Sequence, residues 1–194
     1  MGALADRADR ATSAKTANTD TMFVLVCGLP GAGKTTVAGE VVDRLDAVRI
    51  RTDVVRKDLF EDPQYSDAET DAVYRSVVER ADAVLDDGQH VVLDGTFRER
   101  DFRTPAYALA RDHDVDMVVL KVEADDAVVK ERIRQREDDA SDADVSIYEH
   151  YRDKFDPIRT EHVVVDNSGS LDATRDQVAD AIANPTAARP SPDA

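Results

Sequence analysis

The sequence predicts an α/β domain with a five-stranded parallel sheet and helices on both faces. Three observations predict it. Short β-branched apolar runs alternate with longer amphipathic stretches; glycine is nearly absent from those stretches; and a glycine-rich segment joins the first apolar run to the first helical one. Strands covered on both faces read as near-continuous hydrophobic runs, and their alternation with helical stretches is the pattern of successive βα units.

Taken in order, the apolar runs are Phe23–Cys27, Ala47–Ile50, His90–Leu93, Met117–Val122 and His162–Val165. Helical periodicity and propensity predict helices over Lys34–Leu45, Asp53–Phe60, Asp67–Asp87, Arg98–His113, Asp125–Arg136 and Leu171–Ala183. Residues 1–19 carry no hydrophobic period and read as a flexible leader. Residues 185–194, with Pro185, Pro190 and Pro192 among Ala, Ser and Arg, read as a disordered tail. The intervening 20–184 reads as one domain. At 194 residues and 21.3 kDa the chain buries a core without disulfides or a structural metal.

Cys27 is the single cysteine, which excludes an intramolecular disulfide and a cysteine zinc cluster, and the residue reads as a small core group. No run approaches the roughly 18 apolar residues of a membrane helix. With a reducing setting implied by cysteine usage, a cytoplasmic location and no membrane partner are expected. His90, His113, His150 and His162 lack metal-ligand spacing and read as structural or surface residues.

Asp plus Glu number 41 against 25 Lys plus Arg, a formal charge of −16. Asp supplies 31 of the acids, and Lys only 6 of the bases. The acids are dispersed, and 42% hydrophobic content in periodic runs excludes a disordered acidic chain. Dispersed aspartate with scarce lysine resembles proteins of salt-loving organisms, so a halophilic character is expected. A generally basic surface for extended nucleic-acid binding is absent.

The strongest motif is Gly28-Leu29-Pro30-Gly31-Ala32-Gly33-Lys34-Thr35, between a strand and a helix. Glycines let consecutive backbone N–H groups curl around phosphates, and the following helix presents the positive end of its dipole. Lys34 is placed to reach the β- and γ-phosphates of ATP, and the Thr35 hydroxyl to ligate Mg²⁺. Asp94 ends the run Val91-Val92-Leu93, where a carboxylate can hold Mg²⁺ or its waters, or else cap the next turn.

After the second strand come Arg51-Thr52-Asp53-Val54-Val55-Arg56. Ligands of open parallel sheets bind beyond the carboxyl ends of the strands, which is where this segment belongs. Asp53 suits a base for an attacking hydroxyl and Arg56 a contact for the acceptor; the alternative is Asp53 as a plain helix cap. Thr96, Arg98 and Arg103 follow Asp94 as further acceptor-site candidates. Glu131-Arg132-Ile133-Arg134-Gln135-Arg136 ends a helix before a polar loop, as a mobile lid over a nucleotide does, or as basic residues complementing a helix dipole do. Tyr148, Tyr151 and Phe155 at helical spacing read as packing.

Assembled, these residues resemble the AAA-type, kinase-like P-loop family that sits near polynucleotide kinase, gluconate kinase, zeta toxin and chloramphenicol phosphotransferase. The resemblance runs from about Met22 to Ala183 and rests on the glycine-rich loop through Thr36, Arg51 to Phe60, Val91 to Phe97, Glu131-Arg132-Ile133 with Arg136, and Asp139 to Ala143. It implies a three-layer P-loop NTPase fold with a small helical lid at about 134–146. It implies Lys34 on the phosphates, Thr35 on Mg²⁺, Asp53 as acceptor base and Arg56 as acceptor contact. Arg132 would stack on adenine, Arg136 would hold phosphate, and Asn167 with Ser168 would bring backbone to the base. No element matches the acceptor pocket of any one relative.

The expected activity is therefore transfer of the γ-phosphoryl group of ATP, with Mg²⁺, to a hydroxyl of an unidentified acceptor, a small molecule being favoured. A nucleotide-dependent switch and a 5′-hydroxyl nucleic-acid kinase are the alternatives. A guanine-specific switch is disfavoured, since no Asn-Lys-x-Asp motif occurs.

Overall fold

The computed structural model describes residues 21–135 and 145–185. The five apolar runs form the strands β1 (Met22–Cys27), β2 (Val48–Arg51), β3 (Val91–Asp94), β4 (Asp116–Glu123) and β5 (Val163–Asp166). All pair in parallel, in the order β2-β3-β1-β4-β5. The central three strands are the most continuously apolar runs, as burial on both faces requires.

Helices α1 (Lys34–Leu45), α2 (Thr52–Leu59), α3 (Asp67–Asp86), α4 (Arg100–His113), α5 (Asp126–Arg134), α6 (Val145–Arg152) and α7 (Leu171–Ala183) complete the described chain. Successive strand residues serve opposite layers. Phe23, Leu25 and Leu93 face α2, α3 and α4 through Val55, Val73, Val77, Ala106 and Ala110. Val24, Val26, Val92 and Leu120 face α1 and α7 through Val37, Val41, Val178 and Ala181. Each buried Val, Leu or Phe among them contributes about 1.5–3 kcal/mol relative to exposure, before cavity effects. The result is the predicted three-layer P-loop fold.

Local chemistry sets the element ends. Ser66 accepts from the Glu69 amide at 3.3 Å to begin α3, and Glu69 reaches back to the Gln64 amide at 2.9 and 3.1 Å, an extended form of the reciprocal capping box. Asp46 and Asp114 take left-handed backbone after α1 and α4, turning the chain into β2 and β4.

The start of one helix and the presence of another differ from expectation. The helix expected from Arg98 begins at Arg100, because Phe97 adopts a positive φ of 44° and holds residues 95–99 as a loop. Helix α6 was legible only as the spacing of Tyr148 and Tyr151. It shares a small core with α5 through Val129, Ile133 and Tyr148, against Leu29 of the glycine-rich loop. The expected leader, residues 186–194 of the expected tail, Arg136 and most of the expected lid lie outside the described residues. No helix among the described residues is long and apolar enough to cross a membrane.

Candidate active site

The parallel sheet brings the carboxyl ends of β1, β2 and β3 to one edge, and the sequence motifs converge there. A cavity of about 550 Å³ is lined by Pro30, Gly31, Gly33, Lys34, Thr35 and Thr36 of the loop and α1, and by Asp53, Arg56, Thr96 and Arg98. Asp94 and Arg132 also line it.

The glycine-rich loop needs its glycines for two different reasons. Gly33, which caps α1, has φ 94°, and a side-chain carbon there would lie 1.9 Å from Nδ2 of Asn167. Gly28 has φ 142°, and a side-chain carbon would lie 2.4 Å from the Val122 carbonyl oxygen. The first leaves room for the loop's support; the second lets β1 turn out of the sheet beside β4. Gly28 and Ala32 line a second, smaller cavity. Lys34 curls over the loop, its Nζ donating to the Leu29 carbonyl at 3.0 Å.

Asp94 sits across from Val26 at the ends of β3 and β1. It is 5% exposed and is held by Arg49 at 2.5 Å and Arg51 at 3.8 Å, both through Oδ2. Neither arginine was given a role from the sequence, because only the β2–β3 pairing sets them beside Asp94.

Asp53 is not the cap of α2: Arg51 occupies that position, and Asp53 lies within the first turn. It lines the cavity near Tyr74. Burial pushes the Tyr74 phenol up, and the nearby Asp53 carboxylate adds to the push against the Phe97 amide that donates to the phenol oxygen at 3.1 Å. Arg56, one turn further on, is buried, donates to Thr70 at 3.2 Å and lies 4.6 Å under the Tyr65 ring. Arg98 lies 4.2 Å over the Tyr151 ring and pairs with Glu99. Tyr65, Tyr74 and Tyr151 thus line the cavity, an aromatic character that sequence spacing assigned to packing or passed over.

Arg103 is not brought to the cavity. It is 1% exposed, and its guanidinium donates to the carbonyls of Phe97 at 2.7 Å, Arg98 at 2.8 Å, Asp156 at 3.0 Å and Pro157 at 3.3 Å. A planar fork of donors satisfied by four carbonyls is a tie between loops. The acceptor role expected of it is therefore replaced by a structural one.

Arg132 reaches the loop, with Nη1 3.5 Å from the Ala32 carbonyl oxygen. Asn167 meets the loop through its side chain as well: Nδ2 donates to that same carbonyl at 2.9 Å, while Oδ1 accepts from Thr174 at 2.8 Å. Cys27 is core, as expected, and its burial pushes the thiol up to about 12.

The family model described as AAA domain matches residues 23–158, which span the loop, both aspartates and the arginines around them. The chain belongs to the AAA domain family. Uncharacterized proteins of Mycobacterium bovis and Mycobacterium tuberculosis are 34% identical to this AAA-domain chain over 137 residues. The match covers 64% of the chain and 28% of the length of those relatives.

Among solved structures, a sugar kinase from Janibacter superposes with a TM-score of 0.66 at 20% identity, covering 87% of this AAA-domain chain and 96% of its own. A gluconokinase from Sinorhizobium meliloti superposes at 0.65 and 18% identity, covering 85% and 93%. The APS kinase of Mycobacterium tuberculosis, solved with AMPPNP and APS, superposes at 0.65 and 18%, covering 86% and 99%. At these identities the likeness establishes the fold, a kinase-like P-loop domain, and function rests on the site.

Proposed function

We propose that this chain is an ATP-dependent kinase that transfers the γ-phosphoryl group to a hydroxyl of a small-molecule acceptor. The observation that carries the reading is that Lys34, Thr35, Asp53 and Arg56 line one and the same cavity. A phosphate cradle and an ionisable carboxylate lining one cleft are what phosphoryl transfer to a hydroxyl needs.

In this reading the loop amides and Lys34 hold the β- and γ-phosphates and offset their charge. Asp53 accepts the proton of the acceptor hydroxyl as its oxygen bonds to the γ-phosphorus, and the bond from that phosphorus to the β–γ bridging oxygen breaks to release ADP. Thr96 and Arg98 flank the acceptor. Arg132 belongs to the nucleotide side, with Asn167 behind the loop.

The oxygen donors also fit a hard cation. The Thr35 hydroxyl and the Asp94 carboxylate suit Mg²⁺, and since both arginine contacts fall on Oδ2, Oδ1 is the Asp94 oxygen that would meet the ion or its water. Bound there, Mg²⁺ would offset the charge of the β- and γ-phosphates. Arg136 remains a candidate phosphate contact by resemblance.

The test is transfer from γ-labelled ATP with Mg²⁺ to a panel of sugars, sugar acids, nucleosides and 5′-hydroxyl oligonucleotides. Labelled product is expected from at least one small acceptor, lost in Lys34→Ala. In Asp53→Asn, transfer is expected to fall on the order of 10²–10⁴-fold while ATP affinity holds. Full activity of Asp53→Asn overturns its role as base. ATP binding without product from any acceptor favours the nucleotide switch.

A further inference from the structure

We propose that His113, Asp82 and Asp86 form a binding site for a divalent transition-metal ion of the zinc class, clamping the ends of α3 and α4. The site lies away from the cleft and is independent of the kinase reading.

Two helices supply the ligands. Asp82 and Asp86 are four residues apart on α3 and share one face of it. His113 is the last residue of α4, which packs against α3. Its Nε2 lies 2.6 Å from Oδ1 of Asp82, and its Nδ1 lies 3.9 Å from Oδ1 of Asp86. One ligand atom from each residue can be chosen so that all three lie within 4.8 Å of one another. Ligands of a tetrahedral zinc ion, each about 2.0–2.2 Å from the metal, stand ~3.4 Å apart, so small carboxylate rotations close the set. Sequence spacing hides the group, because Asp82 and His113 are 31 positions apart. No other three His, Cys, Asp or Glu side chains come together in this way among the described residues.

Burial divides the roles. The His113 side chain is 5% exposed and its ring is fixed by packing, whereas both carboxylates are more than half exposed. A preset imidazole with two adjustable carboxylates at the surface leaves an entry path for the ion and room for water as a further ligand.

Electrostatics favours a cation there. Asp86 stands in the last turn of α3, which holds no basic residue, and Asp87 caps the helix. The carbonyl end of a helix carries partial negative charge and disfavours carboxylates. Asp112 and Asp114 flank His113 at the same end of α4, where Arg111 pairs with Asp112. An imidazolium brings one positive charge to Asp82 and Asp86; a divalent ion brings two and takes the neutral ring as a ligand. The donor set then selects the metal, since imidazole suits Zn²⁺, Cu²⁺ and Ni²⁺, whereas Mg²⁺ and Ca²⁺ prefer oxygen ligands. Helix α3 leads toward β3 and α4 into β4, so the ion sits near the amino ends of the strands, whereas the cleft lies at their carboxyl ends. Its role there is to tie two helices together.

The full chain, stripped with EDTA, is titrated calorimetrically with ZnCl₂ in excess MgCl₂, which occupies sites built from oxygen alone. One Zn²⁺ per chain is expected, with a melting temperature that climbs with Zn²⁺ concentration. Asp82→Asn, Asp86→Asn and His113→Gln are each expected to weaken binding at least about tenfold, since losing even a group that supports a ligand costs that much. Asp112→Asn, beside the cluster but outside it, is expected to bind as wild type does. Asp82 and Asp86 are exposed, so their variants decide the matter even where His113→Gln fails to fold. No saturable binding, binding weaker than about 1 mM, or equal binding by wild type and the two aspartate variants overturns the site.

Discussion

The carboxamide of Asn167 donates to the carbonyl of Ala32 at 2.9 Å, tying the turn after β5 to the middle of the glycine-rich loop. The tie is itself anchored, because the Asn167 amide donates to Glu123 at 2.8 Å and its Oδ1 accepts from Thr174. Asn167 is buried, so the loop's conformation depends on a group remote from it in sequence.

Removing that support strands the Ala32 carbonyl, with only the long Arg132 contact left. Asn167→Ala is expected to cost about 1–3 kcal/mol of stability. It is also expected to weaken ATP binding about tenfold, equivalent to about 1.4 kcal/mol. Asn167→Asp should be worse, since it sets an acceptor against an acceptor. Calorimetric ATP titration beside chemical denaturation separates the two effects.

Arg103 gives the opposite signature. Arg103→Met keeps the stem but leaves four carbonyls without their donor. A loss of at least about 3 kcal/mol in denaturant unfolding is expected. A folded, stable Arg103→Met with selectively raised acceptor KM would restore it to the binding site.

The contact between α5 and α6 should respond to acid. Hydrogen bonds from Tyr148 at 2.7 Å, foremost, and from Lys130 hold the Asp126 carboxyl below its ordinary value. A depressed carboxyl stabilises the folded state above its unfolded pKa, and that contribution is lost as pH falls through the folded one. The stability difference between wild type and Asp126→Asn should therefore be constant above about pH 4 and shrink below it. A difference independent of pH down to acid unfolding would show that the pair does not act.

The formal charge of −16 opposes compaction. Screening shortens the range of that repulsion to about 3 Å at molar salt. The melting temperature is expected to rise steadily from 0.1 M toward molar KCl. A flat or falling curve would remove the charge argument for a salt-adapted chain.

The strands and the phosphate loop were legible because their signals are local. Val91-Val92-Leu93 announces a doubly covered strand, and Gly28 to Thr35 announces an anion cradle, from neighbours in sequence alone. The misreadings share a cause. Arg98, Arg100 and Arg103 look equivalent in sequence, and only the fold of residues 95–99 over residues 156 and 157 buries one of them. Tyr65 and Tyr151 sit 86 positions apart and meet only as walls of one cavity.

By itself, then, the sequence determined the alternation of strand and helix, the phosphate-binding loop and the presence of Asp53 and Asp94 near it. Each follows from side-chain period, backbone freedom or strand polarity within a few residues. Tertiary structure alone decided which charges are paired, and with what. Asp94 is held by Arg49 and Arg51, Arg103 is consumed by carbonyls, and the buried Nη1 of Arg56 has no hydrogen-bond acceptor. Those outcomes depend on which strands pair and which helices cover them, since burial and hydrogen-bond partners belong to contacts between distant segments.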